Sequence, residues 1–174
     1  GATGAERLDS IKSLVSAKTA KNWRPGGTFA GIFDGNGVTI YGLYTRDTWN
    51  CAGFMYELND GAVIKNVTFD AAYALNENSE TAKPGNSHIA VITTRTRGNN
   101  TISNVAVVNS RVEATMADIP GGTATAGGIV ATGIEPKKLT LNNCFFDGAS
   151  SELVANGKTN DYTNTSVAGI ASMD

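Results

Sequence analysis

The strongest constraint in this sequence is a short motif that recurs at a nearly fixed interval. Ile64-Lys65-Asn66-Val67-Thr68-Phe69, Ile102-Ser103-Asn104-Val105-Ala106-Val107 and Leu141-Asn142-Asn143-Cys144-Phe145-Phe146 share the pattern aliphatic, any, Asn, small apolar, any, apolar. Their asparagines are separated by 38 and 39 residues (66 to 104 to 143). Ile40-Tyr41-Gly42-Leu43 has the same shape with Gly in the Asn slot. A second series interleaves with the first: Ala52-Gly53-Phe54-Met55, Ile89-Ala90-Val91-Ile92, Gly127-Gly128-Ile129-Val130 and Ala168-Gly169-Ile170-Ala171. Its second positions step by 37, 38 and 41 (53, 90, 128, 169). Alternation of the two series predicts units of about 19 residues, too short for a globular subdomain and sufficient for one rung of a solenoid. The expected repeat is therefore two rungs per step of 38 or so residues, over residues 22–174 of a single domain spanning 1–174.

Within the first series, apolar residues occupy both parities, which is not the alternation of a sheet with one buried face. A bend at the Asn accounts for this. A residue in the left-handed region re-aims the strand, so that Ile64 before it and Val67 and Phe69 after it all point inward. Asn and Gly adopt that conformation at least cost. Stacking would bring Asn66, Asn104 and Asn143 to one edge as structural residues. An amide ladder there is a hypothesis, because a Gly- or Ala-rich rung is expected between successive asparagines and direct contact needs a spacing of ~4.8 Å.

The fold class that follows is all-β, a right-handed parallel β-helix. Residues 1–21 are read as a cap: Leu8, Ile11, Leu14 and Val15 form one amphipathic face, so a short helix over the open end of the core competes with a first β-rung. The stretches 76–87, 116–125 and 155–164, rich in Asn, Thr, Gly and Pro, read as loops leaving the rungs. A formal net charge of -2 with both signs scattered gives no basic stripe for nucleic acid. No apolar run reaches the ~20 residues of a membrane span. Cys51 and Cys144 each lie in an apolar, strand-like segment, which suits small buried thiols better than a disulfide. An end directly after an apolar rung predicts flanking domains or end-to-end self-association.

Asn22-Trp23-Arg24-Pro25-Gly26-Gly27-Thr28-Phe29-Ala30-Gly31-Ile32-Phe33-Asp34-Gly35-Asn36-Gly37-Val38-Thr39-Ile40-Tyr41-Gly42-Leu43 resembles the opening of bacterial cell-surface repeat proteins that carry the GLUG motif. Those read Trp-x-Pro-Ile-Gly, then Phe-x-Gly-x-Phe-Asp-Gly-Asn-Gly-His-Thr-Ile-x-Gly-Leu; here Gly26 stands for the usual Ile and Val38 for the usual His. Ala52-Gly53-Phe54-Met55 resembles their Gly-Leu-Phe-Gly unit. The resemblance is strong from Asn22 to about Phe69 and then fades into the repeat pattern. It implies a right-handed parallel β-helix in secreted or wall-attached bacterial proteins, where such segments accompany adhesins, carbohydrate-active enzymes and large metalloproteases as non-catalytic parts.

Among candidate sites, Asp34-Gly35-Asn36-Gly37 lacks the further carboxylates and closing Glu of a calcium loop. It reads as a tight turn in which Gly35 and Gly37 supply positive φ and Asp34 bonds the local backbone. Asp34, Asp47, Asp60, Asp70, Asp147 and Asp161 sit mostly beside Gly or Asn, as turn residues do and catalytic carboxylate pairs need not. His88 is the sole histidine, which removes a His-based metal cluster, and it reads as solvated or capping. Arg95-Thr96-Arg97 reads as a solvated outer face. The most informative polar set is aromatic. Trp23, Tyr41, Tyr44, Trp49 and Tyr56 crowd the first third of the chain beside Arg24 and Arg46, either as stacking platforms for a sugar or partner protein or as a cap on the N-terminal end. The functional expectation is a non-catalytic surface scaffold, adhesin-like, contacting a glycan or surface protein and using no cofactor; the alternative is a fragment of a carbohydrate-active β-helix enzyme.

Overall fold

The structure, a computed structural model, describes residues 1–48, 51–78, 86–116, 122–131, 136–157 and 164–171. Its order is one helix, α1 (Gly4–Ser16), followed by strands that deal themselves in rotation to three sheets. The first sheet holds β2 (Ile32–Tyr41), β6 (Val63–Asp70), β9 (Gly98–Val108) and β12 (Pro136–Phe146). The second holds β3 (Tyr44–Asp47), β7 (Tyr73–Asn78), β10 (Arg111–Met116) and β13 (Glu152–Asn156). The third holds β4 (Cys51–Ala52), β8 (Ser87–Ala90), β11 (Thr123–Gly127) and β14 (Asn164–Ala168). A small pair, β1 (Thr28–Phe29) with β5 (Glu57–Leu58), sits beside the first turn. Every pairing is parallel, and the order within each sheet follows the chain from the first turn to the fourth. Among the described residues the protein is thus all-β with parallel sheets and one helix.

The register corrects the expected layering. Val63 lies opposite Thr101 and Tyr73 opposite Arg111, each 38 residues on, so strands one repeat apart are direct hydrogen-bonded neighbours. One step of the repeat is one layer, not two. The two recurring motifs belong to different sheets of the same turn, and the strands between them (β7, β10, β13) share no motif that could have announced a third side.

The bend at Asn is present in each layer. Asn66, Asn104 and Asn143 have φ of 57°, 53° and 48°, in the left-handed region. Ile64 and Ile102 before the bend, and Val67, Phe69, Val105 and Val107 after it, are all buried. With no intervening layer the amides touch: Asn104 Nδ2 donates to Asn66 Oδ1 at 3.0 Å, and Asn143 Nδ2 to Asn104 Oδ1 at 2.9 Å. Gly42 does not belong to this column. It is left-handed (φ 65°) but aligns with Ala71 (φ 54°) and Asn109 (φ 48°), a second bend where the first sheet hands over to the second. Opposite Asn66 the first turn carries a bulge between Asp34 and Val38. There Asn36 (φ 51°) and Gly37 (φ 79°) take the left-handed conformation. Gly35 serves a different need, since a Cβ on it would lie 2.6 Å from the Asn66 carbonyl oxygen.

The inward columns of all three sheets meet in one apolar cluster that includes Ile64, Phe69, Val112, Met116, Ile89 and Ala126. The helix does not cover an end of that cluster. Leu8 and Ile11 pack instead on Tyr44, Tyr73 and Leu75, which face outward from the second sheet. The reason is electrostatic as well as apolar. Arg7 pairs with Asp70 at 2.5 Å and Lys12 pairs with Glu152, anchoring the helix across several turns at once. Thr3 and Glu6 close its N-terminus with a capping box. Of the expected loops, residues 79–85, 117–121 and 158–163 lie outside the described residues, whereas their flanks are strand: β7 extends to Asn78 and β8 begins at Ser87.

Candidate functional site

The segment before β1 is laid against the edge of β3 by an asparagine acting as a surrogate strand. Asn22 Nδ2 donates to the Arg46 carbonyl at 2.9 Å, the Arg46 N–H donates to Asn22 Oδ1 at 2.7 Å, and the Trp23 N–H donates to the Tyr44 carbonyl at 2.7 Å. This holds Trp23 over the core. Its indole N–H donates to the Phe54 carbonyl at 2.9 Å, and the two rings stack with centroids 5.9 Å apart. Phe54 in turn meets Phe33 and Phe69 edge to face, both at 5.1 Å. Trp23 is nonetheless 46% exposed, so the anchored ring still presents surface to solvent.

Around it lies a hollow of about 330 Å³ lined by Trp23, Arg24, Arg46, Asp47, Thr48 and Tyr56, among others. Tyr56 is backed by Arg95, whose guanidinium stands 5.6 Å from the ring centroid. Arg46 is committed to Glu77, with Nε and Nη2 at 2.9 and 2.8 Å. Arg24 makes no ion pair among the described residues. A larger crevice of about 640 Å³ opens between the end of α1 and the second sheet, lined by Lys18, Arg24, Tyr44, Arg46, Glu77 and Glu113, among others. Arg24 and Arg46 border both.

Of the expected set, the structure brings together Trp23, Tyr56, Arg24 and Arg46, and adds Asp47. It separates the other aromatics. Tyr41 is 61% exposed at the end of β2, under the Arg7 guanidinium at 5.2 Å. Tyr44 is only 8% exposed, edge-on to Tyr73 beneath α1, and supports the helix where a stacking platform was expected. Burial pushes its hydroxyl pKa up. Trp49 lies outside the described residues. Asn22 could not be picked out as a site residue beforehand, because its role depends on a tertiary contact 24 residues away.

Three of the candidate carboxylates are committed to backbone and side-chain donors, and Asp161 lies outside the described residues. Asp34 accepts from the Asn36 N–H and the Asn66 amide, both at 2.9 Å, and pairs with Lys65 at 3.2 Å. Asp60 accepts from Asn99 of the next turn, from its backbone N–H at 2.6 Å and its amide at 3.0 Å. Asp147 holds its own turn through Ser150 and the Ala149 N–H. These donors lower all three pKa values, the opposite of what a proton-donating acid requires. His88, expected to be solvated or capping, is buried on β8 at 7% exposure and is therefore not solvated. Arg97 is likewise engaged, with Glu57 at 2.9 Å. Cys144 is a free, half-buried thiol whose pKa burial raises.

Comparison with protein-family models, with curated protein sequences and with solved structures found no match.

Proposed function

We propose that the chain is a right-handed parallel β-helix acting as a non-catalytic, extracellular scaffold module of the bacterial cell-surface kind, and that the hollow beside Trp23 contacts a glycan. The helical reading draws support from the topology: successive strands enter three sheets in rotation, each pairs in parallel with its counterpart one turn on, and all three contribute to one core. Parallel crossovers are right-handed in nearly all proteins. The extracellular reading rests on the resemblance of residues 22–69 to the GLUG-type opening.

The observation that carries the binding reading is the state of Trp23. Its N–H and one ring contact are consumed by Phe54, so the side chain is rigidly placed while nearly half of it stays open. A pre-positioned aromatic face beside guanidinium and hydroxyl groups is the arrangement that sugar rings recognise by stacking and hydrogen bonding. The general acid of a glycoside hydrolase would instead need a carboxyl group with a raised pKa, and Asp34, Asp60 and Asp147 have the reverse.

A glycan array with the purified chain tests the reading, followed by Trp23→Ala and Arg24→Ala. Binding that both substitutions weaken by about tenfold or more, with the fold retained, supports a sugar contact in this hollow. Absence of binding to any glycan removes it. Release of reducing ends from a polysaccharide would instead establish an enzyme.

A further inference from the structure

The hollow beside Trp23 and the crevice beneath the end of α1 are continuous. Asn22, Arg24 and Arg46 line both, so an extended ligand seated on Trp23 can run on into the crevice. At about 330 and 640 Å³, each falls in the ~300–1,000 Å³ range of small-ligand sites. The charges around them do not cancel. Glu113 is engaged by Arg111 at 2.9 Å and by the Tyr73 hydroxyl at 3.0 Å, and Glu77 is engaged by Arg46 at 2.8 Å. Asp47 accepts the Thr48 N–H at 2.7 Å. Lys18 and Arg24, by contrast, make no ion pair among the described residues, so the joint rim presents two uncommitted cations beside carboxylates that already have partners.

Lys18 is held at this rim against its own backbone preference. It is the first residue past the helix, with φ 58°, in a Schellman closure: the Lys18 N–H donates to the Val15 carbonyl at 3.0 Å and the Thr19 N–H to the Leu14 carbonyl at 2.9 Å. Glycine is the residue this position takes without penalty, and a side chain here carries a conformational cost. A lysine retained at that cost, with its ammonium uncommitted and at the mouth of a cavity, points to something for the ammonium to meet. Helix-end electrostatics is the competing explanation, since a cation also suits a helix C-terminus. The two explanations differ in what glycine at position 18 would do.

We infer that the two cavities form one site for an acidic oligosaccharide, in which one ring stacks on Trp23 and the carboxylate of a neighbouring uronate is held at the crevice mouth between Arg24 and Lys18. With the glycan contact at Trp23 as its premise, the site selects for charge. Arg24 offers a planar fork that meets a carboxylate with two parallel hydrogen bonds, and Lys18 adds a point charge. Val15, Ala20 and Tyr44 supply an apolar wall for the ring that carries the carboxylate.

Oligosaccharides of galacturonate, mannuronate and glucuronate, each beside its carboxyl-reduced counterpart, are the probes, titrated against the intact chain by calorimetry. At least one carboxylate form should bind at least about tenfold more tightly than its reduced form. Lys18→Gly should weaken that carboxylate form about fivefold or more, leave the reduced form unchanged, and keep or raise the thermal midpoint, because glycine takes the left-handed position freely. A Lys18→Gly variant that melts lower and binds the carboxylate form as tightly as the wild type would assign Lys18 to the helix end and overturn the inference. Equal binding of carboxylate and reduced forms, lost in Trp23→Ala, would overturn the charge selection and leave the glycan contact standing. Carboxylate binding that survives Trp23→Ala unchanged would remove the Trp23 contact and the joint site with it. No binding of any uronate overturns the inference outright, while the glycan array decides the Trp23 contact separately.

Discussion

The Nδ2 of Asn66 donates to the Asp34 carboxylate at 2.9 Å, and this contact sets the direction of every amide in the stack. A carboxylate that already receives the Asn36 N–H has no proton to give, so the ladder begins on an acceptor and runs one way through Asn104 and Asn143. A bulge expected to be a local turn is thereby the terminus of a column that crosses the whole sheet.

The pH dependence of this terminus follows from the sign of its shift. The Asn36 N–H first, then Asn66 and Lys65, lower the Asp34 pKa below its ordinary 3.8. A depressed folded-state pKa gives stability that is present above the unfolded value and lost as pH falls through the folded one. Thermal melts from pH 6 downward should therefore lose stability more steeply in the wild type than in Asp34→Asn, which keeps an acceptor for Asn66 but does not titrate. Parallel curves for the two proteins would show that Asp34 contributes no proton linkage.

Asn104 sits in mid-ladder and can be divided into its two functions. Asn104→Gly keeps the left-handed bend and loses the amide contacts on both sides, at about 1–2 kcal/mol. Asn104→Ala loses the contacts and also leaves at φ near 53° a residue without the polar side chain that eases this conformation for Asn, adding roughly 1–2 kcal/mol. Urea denaturation should rank wild type above Gly above Ala. An Ala variant as stable as the Gly variant would show that the bend relaxes when the amide is removed.

The contrast between these two functions explains what the sequence could and could not disclose. The bend was legible because Asn and Gly adopt it at least cost, so residues 66, 104 and 143 carry a local requirement that repeats. The second sheet was not, because Tyr73, Arg111 and Glu152 share a register position across it while having no chemistry in common. Their partners are tertiary: Tyr73 meets Tyr44, Arg111 meets Glu152, and Glu152 meets Lys12 of the helix. For the same reason the amphipathic face of α1 was readable but its docking place was not. Trp23 was identified by composition and family pattern; Asn22, which positions it, was invisible until β3 lay beside it.

Tyr73 reports on that helix-covered face. Its hydroxyl donates to Glu113 Oε2 at 3.0 Å, and burial, then the Glu113 charge, push its pKa up to about 12. Because the raised pKa favours the protonated, folded form, its contribution is complete below pH ~10 and is lost as pH rises toward 12. The contribution is on the order of 1–2 kcal/mol. Alkaline unfolding followed by far-UV circular dichroism and tyrosinate absorbance should coincide in this range, and Tyr73→Phe should move the onset upward. Tyr73→Phe should cost about 1 kcal/mol at neutral pH, through the lost bond to Glu113. Tyrosinate formation well before unfolding, for a number of residues that includes Tyr73, would refute its burial under α1.

Gly35 and Gly37 flank Asn36 in one bulge yet answer to different physics, so parallel substitutions separate them. A Cβ at position 35 would stand 2.6 Å from the Asn66 carbonyl oxygen and 2.7 Å from Val67 Cβ, both held by the adjacent strand. Any side chain there must push β2 away from β6, at about 2 kcal/mol or more. At position 37 nothing lies within 4 Å, and the demand is a φ of 79°. Asn can approach that region, so Gly37→Asn should cost less than about 1 kcal/mol, while Gly37→Ala should cost roughly 1–2. Gly35→Asn gains nothing from its conformational tolerance and should be as damaging as Gly35→Ala. Urea midpoints for the four variants decide the matter. Equal tolerance of Asn at both positions would mean that β2 can withdraw from β6 without cost, and that the first turn is held by its apolar contacts with Phe33 and Ile40 instead of by the close approach at Gly35.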